Sequence, residues 1–138
     1  MATKSKIIRG NVNLMYCKNL KRISGVTKIK GSIDLYGCNI FSDLGDLIEV
    51  NNFIDLRTTA IKTLGKLQKV GSINLSLTGI QDLGNLEIVT KHINISNTNL
   101  DNLGKLKTVG GRIILRDSKI TKEYVRKYKP ELFESCEW

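Results

Sequence analysis

Apolar residues along this chain come in short alternating bursts. Ile54-Asp-Leu56, Ile73-Asn-Leu75 and Ile93-Asn-Ile95 each place two apolar side chains on one side and a polar one on the other. That is the period-two signature of a half-buried strand. Each burst leads to a small polar residue, an apolar residue and a Leu-Gly step. The full run appears as Thr59-Ala-Ile61 with Leu64-Gly65-Lys-Leu67, as Thr78-Gly-Ile80 with Leu83-Gly84-Asn-Leu86, and as Thr98-Asn-Leu100 with Leu103-Gly104-Lys-Leu106. Partial copies are Val12-Asn-Leu14 with Cys17, Ile33-Asp-Leu35 with Cys38-Asn-Ile40, and Ile113-Ile-Leu115 with Ser118-Lys-Ile120. The first apolar positions fall at 12, 33, 54, 73, 93 and 113, so the spacings are 21, 21, 19, 20 and 20 residues. An aliphatic anchor precedes each strand: Ile8, Ile29, Val50, Val70, Val89 and Val109. One such unit is too small to bury its own apolar face, so the units must stack.

The parts of a unit have readable roles. The hydroxyl of Thr59, Thr78, Thr98 or Ser118 can bond the backbone of the turn that leaves the strand. The glycine of each Leu-Gly step allows a sharp bend. The return segments predict turns and short 3₁₀ pieces rather than full helices. Strands of successive coils form one parallel sheet, about 4.8 Å apart. The prediction is a single-domain repeat solenoid of six coils over residues 8–120, preceded by a basic segment at 1–7. Residues 121–138 form a cap helix and tail. Thr121 is the N-cap. Tyr124, Val125 and Tyr128 make one apolar stripe, and Pro130 ends the helix. Leu132, Phe133 and Trp138 add cover to the last coil.

The pattern L-x-x-V-x-G-x-I-x-L-x-x-T, seen well in Leu106-Lys-Thr-Val109-Gly-Gly-Arg-Ile113-Ile-Leu115, resembles the leucine-rich repeat. It looks closest to the short repeats of receptor L domains and of bacterial and phage proteins, with Thr where Asn is usual. The resemblance covers roughly residues 8–120. Most units place three residues between anchor and strand, where the usual pattern has two; only Val70-Gly-Ser-Ile73 has two. The cysteine-rich flanks of secreted receptors are missing. The resemblance implies a parallel sheet on one face and turns or 3₁₀ segments on the other. It also implies a non-catalytic protein-binding role: an adaptor, or an inhibitor of a host enzyme or defence complex.

Composition narrows the classes. The chain has 138 residues, 41% hydrophobic and 25% charged, which suits one folded domain and excludes global disorder. No stretch approaches the about 18 consecutive apolar residues of a membrane span. No apolar core of a secretory signal follows Met1, so a cytoplasmic location is expected. The net charge is +9, from 22 basic and 13 acidic residues. Residues 1–30 hold eight basic residues and no acid; residues 31–56 hold five acids and no base. That balance keeps nucleic acid as an alternative partner, through Lys18, Lys21, Arg22, Lys28 and Lys30.

Candidate chemistry is sparse. His92 is the single histidine, and no positioned nucleophile or acid stands beside it in the pattern. The glycines recur once per coil, which is a structural period and not a phosphate loop. Cys17 and Cys38 occupy one place in neighbouring coils; they read as reduced thiols in the Thr position, although a disulfide is sterically open. Cys136 reads as a free thiol in the tail. No enzyme, metal or cofactor is expected. The exposed strand face is the candidate partner surface. In the N-terminal half it gathers Tyr16, Asp34, Tyr36, Phe53, Asp55 and Arg57, and further along His92, Arg112 and Arg116. Aromatics with arginine are the residues that interface hot spots use. A protein partner is expected, with the chain itself a monomer or homodimer.

Overall fold

The computed structural model describes residues 6–138, so most of the basic segment 1–7 lies outside the described residues. The chain is a parallel β-solenoid. Its strands are β1 (Ile7–Arg9), β2 (Val12–Asn13), β3 (Lys28–Lys30), β4 (Ile33–Asp34), β5 (Glu49–Asp55), β6 (Lys69–Asn74), β7 (Ile88–Val89), β8 (Ile93–Asn94), β9 (Thr108–Val109), β10 (Ile113–Ile114) and β11 (Cys136–Glu137). The predicted strand residues stack in register: Val12 on Ile33, then Ile54, Ile73, Ile93 and Ile113. The apolar anchors form a second parallel ladder: Ile8, Ile29, Val50, Val70, Val89 and Val109. In β5 and β6 the two ladders merge into continuous strands.

The return side is built of turns, as expected, but without the short 3₁₀ pieces. It is extended backbone with turns, and single bridges join Arg22 to Asp43 and Thr63 to Asp82. The reason lies in the Leu-Gly step. A side chain two residues before each glycine accepts its N–H: Asp43 to Gly45 at 2.7 Å, Thr63 to Gly65 at 3.1 Å, Asp82 to Gly84 at 2.9 Å and Asn102 to Gly104 at 3.0 Å. These glycines have φ between 51° and 61°, the left-handed region that they enter freely. The bend is complete within two residues. The following amide then bonds across coils, as Asn85 N–H to the Gly65 carbonyl at 2.9 Å. The hydroxyl expectation holds: Thr59, Thr78 and Thr98 donate to the carbonyls of Leu56, Leu75 and Ile95 at 2.6–2.8 Å.

Unequal spacings have separate causes. The two coils of 21 residues carry an extra residue in the turn after the cysteine. As a result Phe41, and not Ile40, fills the core: Phe41 is fully buried and Ile40 is 42% exposed. The 19-residue coil lacks a residue between Val70 and Ile73, and the β5–β6 register shifts between Val50 and Phe53.

The two ends are unlike. At the C-terminal end, α1 (Lys122–Tyr128) starts at Thr121, whose Oγ1 accepts the Tyr124 N–H at 3.0 Å. Val125 and Leu132 are buried there, and the Tyr124 hydroxyl accepts the Leu103 N–H at 2.9 Å. Tyr128, expected on the inner stripe, points outward and is exposed. A 3₁₀ turn over Pro130–Ser135 leads into β11. β11 adds a seventh rung to the strand ladder, with Cys136 opposite Ile113, where six coils with a cap helix and covering tail were expected. At the N-terminal end Ile8, Val12, Leu14, Cys17, Leu20 and Ile23 are only half-buried. Among the described residues no helix is long and apolar enough to cross a membrane.

Candidate functional site

Three columns of side chains run up the strand face, and two are used by the fold itself. In the central column each Oδ1 accepts the backbone N–H two residues on: Asn13 to Met15, Asp34 to Tyr36, Asp55 to Arg57, Asn74 to Ser76 and Asn94 to Ser96, at 3.0–3.1 Å. These bonds close the turn leaving the strand in each of the first five coils. Asp34 and Asp55 were expected as free partner-binding groups. Instead Asp34 is half-buried and Asp55 is only 3% exposed.

In the column just before the strands, side chains accept amides of the next coil. Asn11 Oδ1 takes the Ser32 N–H at 2.9 Å, Ser32 Oγ takes Phe53 at 3.2 Å and Ser72 Oγ takes His92 at 3.2 Å. His92 Nδ1 takes the Arg112 N–H at 2.9 Å. The neutral His92 ring therefore carries its proton on Nε2, and its Nδ1 is committed to the backbone. Phe53 has no acceptor to offer in this column, and its ring is 37% exposed.

The third column and the turn beside it bring candidate residues together. The rings of Tyr16 and Tyr36 meet edge to face at 5.4 Å. The Arg57 guanidinium lies over Tyr36, 4.6 Å from the ring centre. Asp55 grips Arg57 through Nε–Oδ1 at 3.0 Å and Nη2–Oδ2 at 2.7 Å. That bonding holds the guanidinium charged even above its usual high range. The result is an aromatic–cation stack across three coils. The turn residue next to it is left-handed in every coil from the first to the sixth: Tyr16, Gly37, Thr58, Leu77, Asn97 and Asp117, with φ from 54° to 76°. Glycine and asparagine suit that conformation, whereas a bulky residue pays roughly 1 kcal/mol or more in steric strain. Leu77 adopts it while 59% exposed, one coil beyond Arg57. Met15 and Tyr16, 41% and 58% exposed, open the same stripe. Sequence reasoning missed Leu77. The available signal was a leucine aligned with Gly37 and Asn97, just outside the buried positions.

The other candidates lie apart. Phe53 lies in the column before the strands, two residues ahead of Asp55 on β5. Arg112 reaches Glu137 of the seventh rung at 3.3 Å, and Arg116 stands exposed in the sixth coil. Of the basic residues, Lys18, Lys21 and Arg22 are exposed on the return side of the first coil, and Lys30 is exposed on β3. Lys28, expected as a free cation, is half-buried and paired with Glu49. Lys66 and Lys107 likewise pair with Asp46 and Glu87 of the preceding coil, at 2.8 and 3.5 Å.

All three cysteines are free. Cys38 Sγ donates to the Leu14 carbonyl at 2.9 Å, and burial raises its pKa. Cys136 belongs to a strand, and burial pushes its thiol up to about 11. Among the described residues no three His, Cys, Asp or Glu side chains gather as metal ligands. An open groove of about 470 Å³ lies at the bend of β5 and β6, lined by Lys28, Glu49, Asn51, Asn52, Lys69 and Thr90 among others. No protein-family model, curated protein or solved structure matches the chain.

Proposed function

We propose that this protein is a non-catalytic binding module, an adaptor or inhibitor that holds a protein partner on the strand face of its first four coils. The observation that carries this reading is the Tyr16–Tyr36–Arg57 stack, braced by Asp55 and continued by Leu77. Aromatic and arginine side chains already fixed in place lose little freedom on binding, which is how interface anchors gain affinity. Leu77 adds to this. It is strained and water-exposed where asparagine or glycine would suit the fold better, and strain at a surface residue points to a role outside folding. The resemblance of the repeat to leucine-rich repeats supports the same reading.

The test is site-specific photo-crosslinking in nuclease-treated lysate of the native host. The crosslinker replaces Leu77 or, as a control on the anchor face, Thr108. A discrete protein captured from position 77 and not from 108 is the expected result. Arg57→Ala together with Tyr36→Ala should reduce that capture about thirtyfold, the effect of losing about 2 kcal/mol of anchor contacts. Equal capture from both positions overturns the reading. So does capture that occurs only in a parallel lysate left without nuclease and tracks Lys18, Lys21 and Arg22 instead.

A further inference from the structure

The solenoid closes its two ends differently. At the C-terminal end the last rung is an extended, acidic segment. Leu115 N–H donates to the Glu137 carbonyl at 2.8 Å, Cys136 takes the apolar strand position opposite Ile113, and Glu137 meets Arg112. At the N-terminal end the same ladder stops unpaired: among the described residues β2 pairs only with β4. The amides of Val12 and Leu14 point into the molecule, bonding the Ser32 and Asp34 carbonyls at 2.8 Å. Backbone groups alternate sides along a strand, so the N–H and C=O of Asn13 point outward. They stand where a preceding rung would bond, as Leu14 bonds Asp34. Beneath them Val12, Leu14 and Leu20 are half-buried.

The surrounding charge selects what fits. Between residues 6 and 30 there are seven basic residues, Lys6, Arg9, Lys18, Lys21, Arg22, Lys28 and Lys30, and no acid; only Lys28 is paired, with Glu49. Two such ends would repel each other, which opposes a head-to-head dimer. Nucleic acid matches the charge but makes no use of a free strand edge over an apolar floor. We infer that the N-terminal end takes up an extended acidic protein segment, which pairs parallel to β2 as an additional rung. Its alternate apolar side chains cover Val12 and Leu14, and its acidic ones lie in the positive field of the basic first coil. This is strand addition, in which main-chain bonds give affinity and alternate side chains give specificity.

The probe is a fluorescent peptide of alternating valine and glutamate, titrated onto the full chain and read by anisotropy. Saturable binding is expected, and the matching valine–lysine peptide should not bind. Lys18→Glu, Lys21→Glu and Arg22→Glu together should weaken binding about tenfold. Asn13→Pro removes the outward N–H and should abolish binding. Asn13→Ala loses the same side-chain cap on Met15 but keeps the N–H, and should retain it; circular dichroism checks that both variants fold. Failure of the acidic peptide to bind overturns the inference, as does equal binding by the Asn13→Pro variant. Self-association of the chain that Asn13→Pro abolishes overturns it in favour of a second copy. Binding of an oligothymidylate in preference to the peptide overturns it in favour of nucleic acid. Arg57→Ala should leave peptide binding intact, so failure here and failure of the strand-face reading are separate results.

Discussion

The first and sixth coils of this solenoid share one repeat, yet their outer surfaces differ. Ile113 and Leu115 of the sixth are buried, because α1, the 3₁₀ turn and β11 close over them. Val12 and Leu14 of the first occupy the same places and are half-buried. The contacts within a repeat are therefore not enough to bury its own apolar residues. Burial comes from the neighbour, and a terminal repeat needs a covering element. Where the cover is present, polar groups are matched as well, as with Tyr124 on the Leu103 amide.

The sharpest way to break the comparison is to place a charge in each end. Leu132→Asp puts a carboxylate into the buried cap and should cost roughly 4 kcal/mol, releasing α1. Leu14→Asp, at a half-buried site, should cost roughly half as much or less. Chemical denaturation of both variants gives the ratio, and equal losses would show that the first coil is covered in solution. A smaller effect separates the left-handed turn residues. Leu77→Asn should raise the melting temperature through about 0.5–1 kcal/mol of relieved strain. Gly37→Ala should lower it by a similar amount or more, since the Tyr16 ring lies against that backbone. The smallest effect is chemical. With the Cys136 thiol pushed up to about 11, only about a thousandth is thiolate at pH 8, so alkylation should be slow. The folded value lies above the ordinary 9.0, so the neutral thiol is the form the fold favours. The cap's stability should hold below about pH 9 and decline as pH rises through about 11. Trp138 fluorescence and the alkylation rate of Cys136, read by mass spectrometry, should change together over that range.

Much of this architecture was legible in the chain because one physical requirement repeats six times. Every strand residue from Val12 to Ile113 pairs as its spacing predicts. The misreadings came where two residues compete for one slot or where a polar side chain has two uses. Ile40 fits the pattern by alignment, but the extra residue in a 21-residue coil moves Phe41 into the core. Asp34 and Asp55 are outward by alternation, yet a carboxylate beside a turn amide bonds that amide first. His92 supplies a lone pair to a backbone N–H in the next coil, a role set by its column rather than by its chemistry. Cys136-Glu-Trp138 carries the apolar-x-apolar signature of a rung, but a helix separates it from the sixth unit and hides the period. Tyr16, Tyr36 and Arg57 were visible as members of the exposed strand face. Leu77 was not, because exposure and positive φ are properties of the turn and not of the residue.

The merged strands β5 and β6 bear on how the chain folds. They lie at the middle of the sequence and pair along both ladders at once, with partners about 20 residues apart. A contact of that separation costs modest loop-closure entropy, and here one encounter secures both sides of a coil. This pair is the natural folding nucleus, with further coils added outward in either direction. Under load or in denaturant the order reverses. The first coil, with no covering element among the described residues, is expected to fray earliest.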